Sequence, residues 1–192
     1  MKIIFDFDGV ISRTQEFWLD KLNAKLGTHY TISDWKSYDM KESFPDEFDD
    51  LLEIATYSEN SAAKAYDWTL RTIAQLQQYS NHEVAIYSKC YSCERAEQKS
   101  KFLKRYKVTV PFTPIVDADW DKDEVECDVL VDDNPDVLKR STAKYRVLVS
   151  QPWNENVDLT GKGIIRVKHG LDLYKKIWNL TYVKERVEDD YS

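Results

Sequence analysis

Apolar positions along this chain fall into short runs that alternate with helical stripes. The first run, Ile3-Ile4-Phe5, is soon followed by Gly9 and reads as a buried strand of a parallel sheet. Similar runs at 84–87, 111–116, 129–131, 145–149 and 164–167 predict five more strands. In between, the spacing turns helical. Phe17, Trp18, Leu19, Leu22 and Leu26 form one stripe at i, i+3 and i+4, and Phe48, Leu51, Leu52 and Ala55 form another. A third helix is expected from residue 61 to residue 80, carrying Ala62, Ala65, Tyr66, Leu70, Ile73 and Leu76. Further helices are expected over 92–106, from Asn134-Pro135-Asp136, where proline suits a first turn, and over 171–186. The acidic end, 188–192, reads as a frayed tail.

Strands alternating with helices imply an α/β fold with a doubly wound parallel sheet, whose ligands lie beyond the carboxyl ends of the strands. Those ends carry Asp6 and Asp8 on the first strand, Ser88 and Lys89 on the second, and Asp132 and Asp133 on the fourth. Like charges 4 Å apart repel by about 4 kcal/mol at an effective dielectric of 20. Four carboxylates on one rim therefore call for a cation, and a hard divalent ion with oxygen ligands, Mg2+ foremost, answers the need.

The 79 residues from 9 to 87 exceed what a crossover between neighbouring parallel strands requires. The surplus is helical, which predicts a helical cap domain over 12–80 inserted after the first strand of a core domain made of 1–11 and 81–192. Aromatics in this stretch, Phe17, Trp18, Tyr30, Trp35, Tyr38, Phe44, Tyr57, Tyr66 and Trp68 among them, are more than a small bundle needs, so one or two are expected to face the substrate.

Composition narrows the partners. A net charge of -7 argues against binding a nucleic-acid polymer by phosphate attraction. No segment reads as a leader or a membrane span, so a cytoplasmic protein without a membrane partner is expected. Cys90 and Cys93 have the spacing of redox and zinc motifs. With Cys127 as the third cysteine and three scattered histidines, they read instead as plain thiols of a reducing compartment.

With these residues in place, the sequence resembles the haloacid dehalogenase superfamily of phosphohydrolases over most of its length. Asp6-Phe7-Asp8-Gly9-Val10 matches the first motif, Ser88 closing "VAIYS" the second, and "VLVDDNPD" over 129–136 the fourth. Lys99, Lys101 and Lys122 compete for the third. Lys122, ten residues before Asp132, has the spacing of the nucleotidase branch and is preferred. Within the superfamily the chain looks most like the type C 5'-nucleotidases, on Asp8-Gly9-Val10, the Lys122 spacing, "DVLVDDNPD" and Gln151-Pro152-Trp153-Asn154. It departs from the mammalian members in having Thr14 where they place a base-contacting aromatic, and Ser88 where they have threonine.

The resemblance implies a Rossmann-like core with a cap, and a Mg2+-dependent phosphatase acting on small phosphate esters, nucleoside 5'-monophosphates first. Asp6 would be the nucleophile and Asp8 the general acid and base. Mg2+ would be held by Asp6, the Asp8 carbonyl and Asp133, with Asp132 in support, and the phosphoryl oxygens by Ser88, Lys89 and Lys122. The alternatives are a phosphatase of another ester, such as a sugar phosphate, and a nucleotide-binding regulator with vestigial activity.

Overall fold

The computed structural model of the protein describes residues 1–79, 81–117, 120 and 122–189. Six strands, β1 (Lys2–Phe5), β2 (Glu83–Lys89), β3 (Phe112–Ile115), β4 (Val129–Asp132), β5 (Tyr145–Val149) and β6 (Ile164–Val167), pair in parallel in the order β3-β2-β1-β4-β5-β6. The chain builds outward from β1 on one side and then on the other. The order therefore reverses between β1 and β4, where a crevice opens at the carboxyl ends.

The period of two along each strand sorts the core into two layers. Ile3, Phe5, Val129, Val131, Val147 and Val149 turn to one face. There they meet Ile73 and Leu76 of α4 (Asp67–Tyr79), Phe102 and Leu103 of α5 (Cys93–Arg105), and Leu173 and Ile177 of α7 (Leu171–Asp189). Ile4, Leu130 and Leu148 turn to the other face, against Val137 and Leu138 of α6 (Pro135–Arg140). Strands buried on both faces read as continuous apolar runs, which made the inner strands visible in the sequence; the edge strands β3 and β6 are for the most part only half-buried and showed as interrupted runs.

The insert after β1 has a core of its own. Leu19 and Leu22 of α1 (Thr14–Leu26) pack with Trp35, with Phe44 just after α2 (Met40–Ser43), and with Leu51 and Ile54 of α3 (Phe48–Tyr57). Trp153, from the loop after β5, joins the same cluster and pins the insert to the sheet domain.

The third helix departs from expectation. It begins at Asp67 rather than near residue 61, because 63–66 is held extended as a hinge. The Arg13 N–H donates to the Lys64 carbonyl at 2.8 Å, the Tyr66 N–H donates to the Ile11 carbonyl at 2.8 Å, and Ser12 bridges Ala65. Once formed, α4 packs into the main core beside α7, so its residues, assigned to the cap by the sequence reading, stand with the sheet. The helix α7 reaches Asp189, past the expected stop at 186. Residues 190–192 of the expected tail lie outside the described residues. No helix among the described residues is long and apolar enough to cross a membrane.

Candidate active site

β1 delivers Asp6 and then turns. Phe7 drops back into the core against Phe102, with ring centroids 5.0 Å apart, and Asp8 and Gly9 open a loop across the crevice. The loop is closed by the Gly9 N–H donating to the Ser12 carbonyl at 2.9 Å. Gly9 has φ +71, and a methyl group there would overlap Asp133 Oδ2, so both conformation and space require glycine.

Asp6, Asp132 and Asp133 can each turn a carboxylate oxygen to within 4.8 Å of the others, and all three are buried. Lys122 Nζ sits among them, 2.5 Å from Asp6 Oδ1 and 3.0 Å from Asp132 Oδ2. Asp132 Oδ1 accepts the Asn134 N–H at 2.8 Å. Asp133 Oδ2 accepts from Trp153 Nε1 at 3.1 Å, and its carbonyl accepts from Asn154 Nδ2 at 2.8 Å.

Burial pushes the Asp6 carboxyl up to about 7; Lys122 pulls it down, and Asp132 and Asp8 add to the rise. Asp133 is held well above the usual carboxylate range, by burial first and then by Asp6 and Asp132. Burial disfavours the Lys122 charge, but Asp132 and Asp6 outweigh it and raise its pKa well above the ordinary value. One lysine among three carboxylates leaves an excess of negative charge. A buried set of oxygen donors with that excess fits a hard divalent cation.

Across the crevice, Lys99 Nζ lies 2.5 Å from Asp8 Oδ2 and 2.7 Å from Ser88 Oγ. Thr14 Oγ1 donates to Asp8 Oδ1 at 2.6 Å. Burial would raise the Asp8 pKa; the Lys99 ion pair, with Lys99 and Thr14 hydrogen bonds, more than cancels this and holds it below the ordinary value.

The structure thus gathers Asp6, Asp8, Ser88, Lys122, Asp132 and Asp133 in one crevice, and it adds two residues to which the sequence reading gave no part in the site. Lys99, ranked there below Lys122, reaches the crevice from α5. Thr14, read as a vacant base-contact position, is buried and grips Asp8. Lys89 corrects the expectation placed on it. Its side chain leaves β2 on the face opposite Ser88, and its ammonium binds the carbonyls of Asp117 and Trp120 at 2.6 and 2.5 Å. Lys101, also weighed as the third motif, pairs with Glu97 on the outer face of α5. Cys90, Cys93 and Cys127 are free thiols outside the carboxylate cluster.

The Gly9 carbonyl is held from behind by Gln151 Nε2 at 2.6 Å and His169 Nε2 at 3.0 Å. The His169 ring stacks on Tyr66 at 3.7 Å, and its Nδ1 is buried without a partner among the described residues. Burial holds its pKa down at about 4; the Gly9 bond offsets part of this and Arg13 adds to it. His169 therefore stays neutral in the fold but protonates near 6.5 once unfolded. Its contribution to stability is complete above pH 6.5 and is lost as pH falls toward 4, by roughly 3 kcal/mol at most. In urea unfolding at pH 7 and pH 4.5, the His169→Gln protein should lose less stability on acidification than the parent. Equal acid losses would show that His169 is charged in the fold.

Known proteins share this fold. A haloacid dehalogenase-like family hydrolase from Streptococcus pneumoniae superposes with TM-score 0.61 at 14% identity, covering 92% of this chain and 97% of its own. A protein assigned as a beta-phosphoglucomutase from Thermotoga maritima gives 0.61 at 14%, covering 94% and 99%. A haloacid dehalogenase-like hydrolase from Burkholderia xenovorans LB400 gives 0.56 at 12%, covering 91% and 94%. At such identities the likeness is one of fold. Among curated proteins, none matches the chain by sequence. The sequence model of one family, the 5' nucleotidase, deoxy (pyrimidine), cytosolic type C proteins, matches residues 1–180. The chain belongs to this family of haloacid dehalogenase-like hydrolases, and it is an enzyme of the phosphatase class.

Proposed function

We propose that this enzyme hydrolyses phosphate monoesters, nucleoside 5'-monophosphates foremost, with Mg2+ and through an aspartyl-phosphate on Asp6. The observation that carries the reading is the joint placement of Asp6 among Asp132, Asp133 and Lys122, with Asp8, Ser88 and Lys99 facing it. Asp6, the Asp8 carbonyl and Asp133 would hold the metal, with Asp132 orienting Lys122. When bound, Mg2+ neutralises phosphoryl charge and keeps the phosphate in line with the nucleophile.

Phosphate monoesters are among the slowest substrates to react uncatalysed, and a carboxylate nucleophile divides the difficulty into two displacements. An Asp6 oxygen attacks phosphorus while Asp8, which takes up a proton as the incoming phosphate draws Lys99 away from it, passes that proton to the departing ester oxygen. Asp8 then takes a proton from the water that attacks the acyl phosphate, which releases phosphate and restores Asp6. Ser88 Oγ and the ammonium groups of Lys99 and Lys122 hold the phosphoryl oxygens as charge moves onto them. Thr14 positions Asp8 for both proton transfers.

The insert supports a nucleotide as the organic part. Trp35 and Phe44 are buried in its core, but Tyr38 leaves 57% of its surface open. Its hydroxyl is nevertheless pushed well above the ordinary phenol value, first by the protein crowded around it and then by Asp133. An open ring close enough to feel the charges of Asp133, Lys122 and Asp6 would meet a base whose phosphate lies at Asp6. Asp39 caps α2 immediately after it and the Ser37 N–H donates to Ser43 Oγ at 2.9 Å, so the loop that presents Tyr38 is held.

Base stacking on an aromatic is worth about 1–3 kcal/mol. Nucleoside 5'-monophosphates should therefore exceed sugar phosphates in kcat/KM, and Tyr38→Ala should lower that constant about tenfold to a hundredfold while sparing a small generic ester. A panel of esters assayed with both proteins tests this. A preference for sugar phosphates over every nucleotide would overturn the nucleotide assignment and leave the phosphatase chemistry in place.

A further inference from the structure

A cavity lies behind the loop that carries Asp8 and Gly9. Gly9 turns its α-carbon toward Asp133 and its carbonyl toward His169, and His169 is part of the cavity's lining. The cavity measures about 360 Å3, within the range of roughly 300–1,000 Å3 typical of small-molecule sites. None of the crevice carboxylates lines it. Arg13 and Tyr66 enter from the two connections between insert and sheet, Trp68 and Arg71 from the first turns of α4, and His169 with Gly170 from the turn into α7.

The chemistry of the lining selects a ligand. The Arg13 guanidinium lies over Tyr66 at 4.8 Å and that of Arg71 over Trp68 at 5.2 Å, so two cationic forks sit against aromatic rings. Among the described residues no carboxylate pairs with Arg71. Arg13 meets Glu16 at 3.3 Å in a pair open to water, which holds it weakly. Asp67 also lines the cavity, leaving two cations against one carboxylate. Trp68 is 42% exposed. Gly170, at φ +86, passes close beside its indole and Arg71 covers part of the ring, so the exposed remainder is what a ligand can reach. An open indole invites a planar ring, and guanidinium forks match phosphate.

We infer that this hinge cavity binds a small organic anion that joins a planar ring to a phosphate, with the ring on Trp68 and the phosphate on Arg13 and Arg71. The site is separate from the crevice. Its ligand would bridge the two connections of the insert to α4 and α7, and so bear on the loop that carries Asp8.

The test uses full-length protein labelled with 5-fluorotryptophan, with Mg2+ present. The fluorine resonances of Trp68 and Trp153 are assigned by Trp68→Phe and Trp153→Phe, so that one reports the cavity and the other the Asp133 crevice. The probes are a non-hydrolysable adenosine 5'-phosphonate, adenosine alone and inorganic phosphate alone. The phosphonate should move the Trp68 resonance saturably. Arg71→Ala should raise that midpoint about tenfold or more, the loss of one charge-assisted contact, and leave the Trp153 midpoint unchanged. Adenosine and phosphate should each require about tenfold more ligand. A Trp68 resonance that stays still while Trp153 responds, or the same Trp68 midpoint in Arg71→Ala, would overturn the site. Phosphate acting as strongly as the phosphonate would overturn the assignment of a ring-bearing ligand. A silent Trp153 would count against the crevice assignment alone.

Discussion

Purified Asp6→Asn protein should turn over no phosphate monoester, a fall of roughly 10⁴-fold or more, since losing a nucleophile removes the first displacement altogether. The fold should remain. The amide keeps the shape of the carboxylate and can still accept from Lys122, whose ammonium also lies 3.0 Å from Asp132. A carboxyl pushed up to about 7 by burial is a charge held at a disadvantage. Without metal, the Asp6→Asn protein should therefore melt at or above the temperature of the parent. Activity and melting temperature then move in opposite directions, which a simple loss of structure cannot produce. Parent-like turnover by this variant would remove Asp6 from the mechanism.

Stripping divalent ions should bring turnover to background, and adding Mg2+ should restore it. A ligand of the native state at a hundred times its Kd stabilises by about 2.7 kcal/mol. For a chain of this size that is roughly 5–10 °C in Tm. Removing the excess negative charge of Asp6, Asp132 and Asp133 is the source of the gain. Ca2+ should raise the melting temperature without restoring activity, because its larger and looser coordination misplaces the nucleophile. Full activity in excess chelator would show that the carboxylates serve another purpose.

The inner strands were legible because strands buried on both faces must be apolar throughout, and the rule that ligands gather at carboxyl ends then named Asp6, Asp8, Ser88, Asp132 and Asp133 before any contact was known. The same alternation could have excluded Lys89, since neighbours on a strand face opposite ways and Ser88 had already claimed the crevice. Lys99 left a signal too. It lies with Phe102 and Leu103 at i, i+3 and i+4 on the buried face of α5, where a lysine without a partner is untenable. Thr14 left none, because its bond to Asp8 depends on how the loop closes through Gly9 and Ser12. The hinge at 63–66 was read as helix because Ala62, Ala65 and Tyr66 fall at helical spacing, whereas Ala65 and Tyr66 are covered by the pairing of 64–66 with 11–13, a long-range contact that helical periodicity cannot register. Composition counted the aromatics of the insert without sorting them. Only packing separates Trp35, locked between Phe44 and Trp153, from Tyr38 three residues later.

The central claim is that phosphorus passes to Asp6, and trapping the phosphoenzyme tests it most directly. Asp8→Asn protein lacks the base for the second displacement. With Mg2+ and p-nitrophenyl phosphate, whose leaving group needs no proton, it should release a burst of nitrophenol and stop. Quenching with borohydride reduces an acyl phosphate to the alcohol, so peptide mass spectrometry should find homoserine at position 6. A burst with Asp6 unmodified, or phosphate carried on any other residue, would contradict the mechanism.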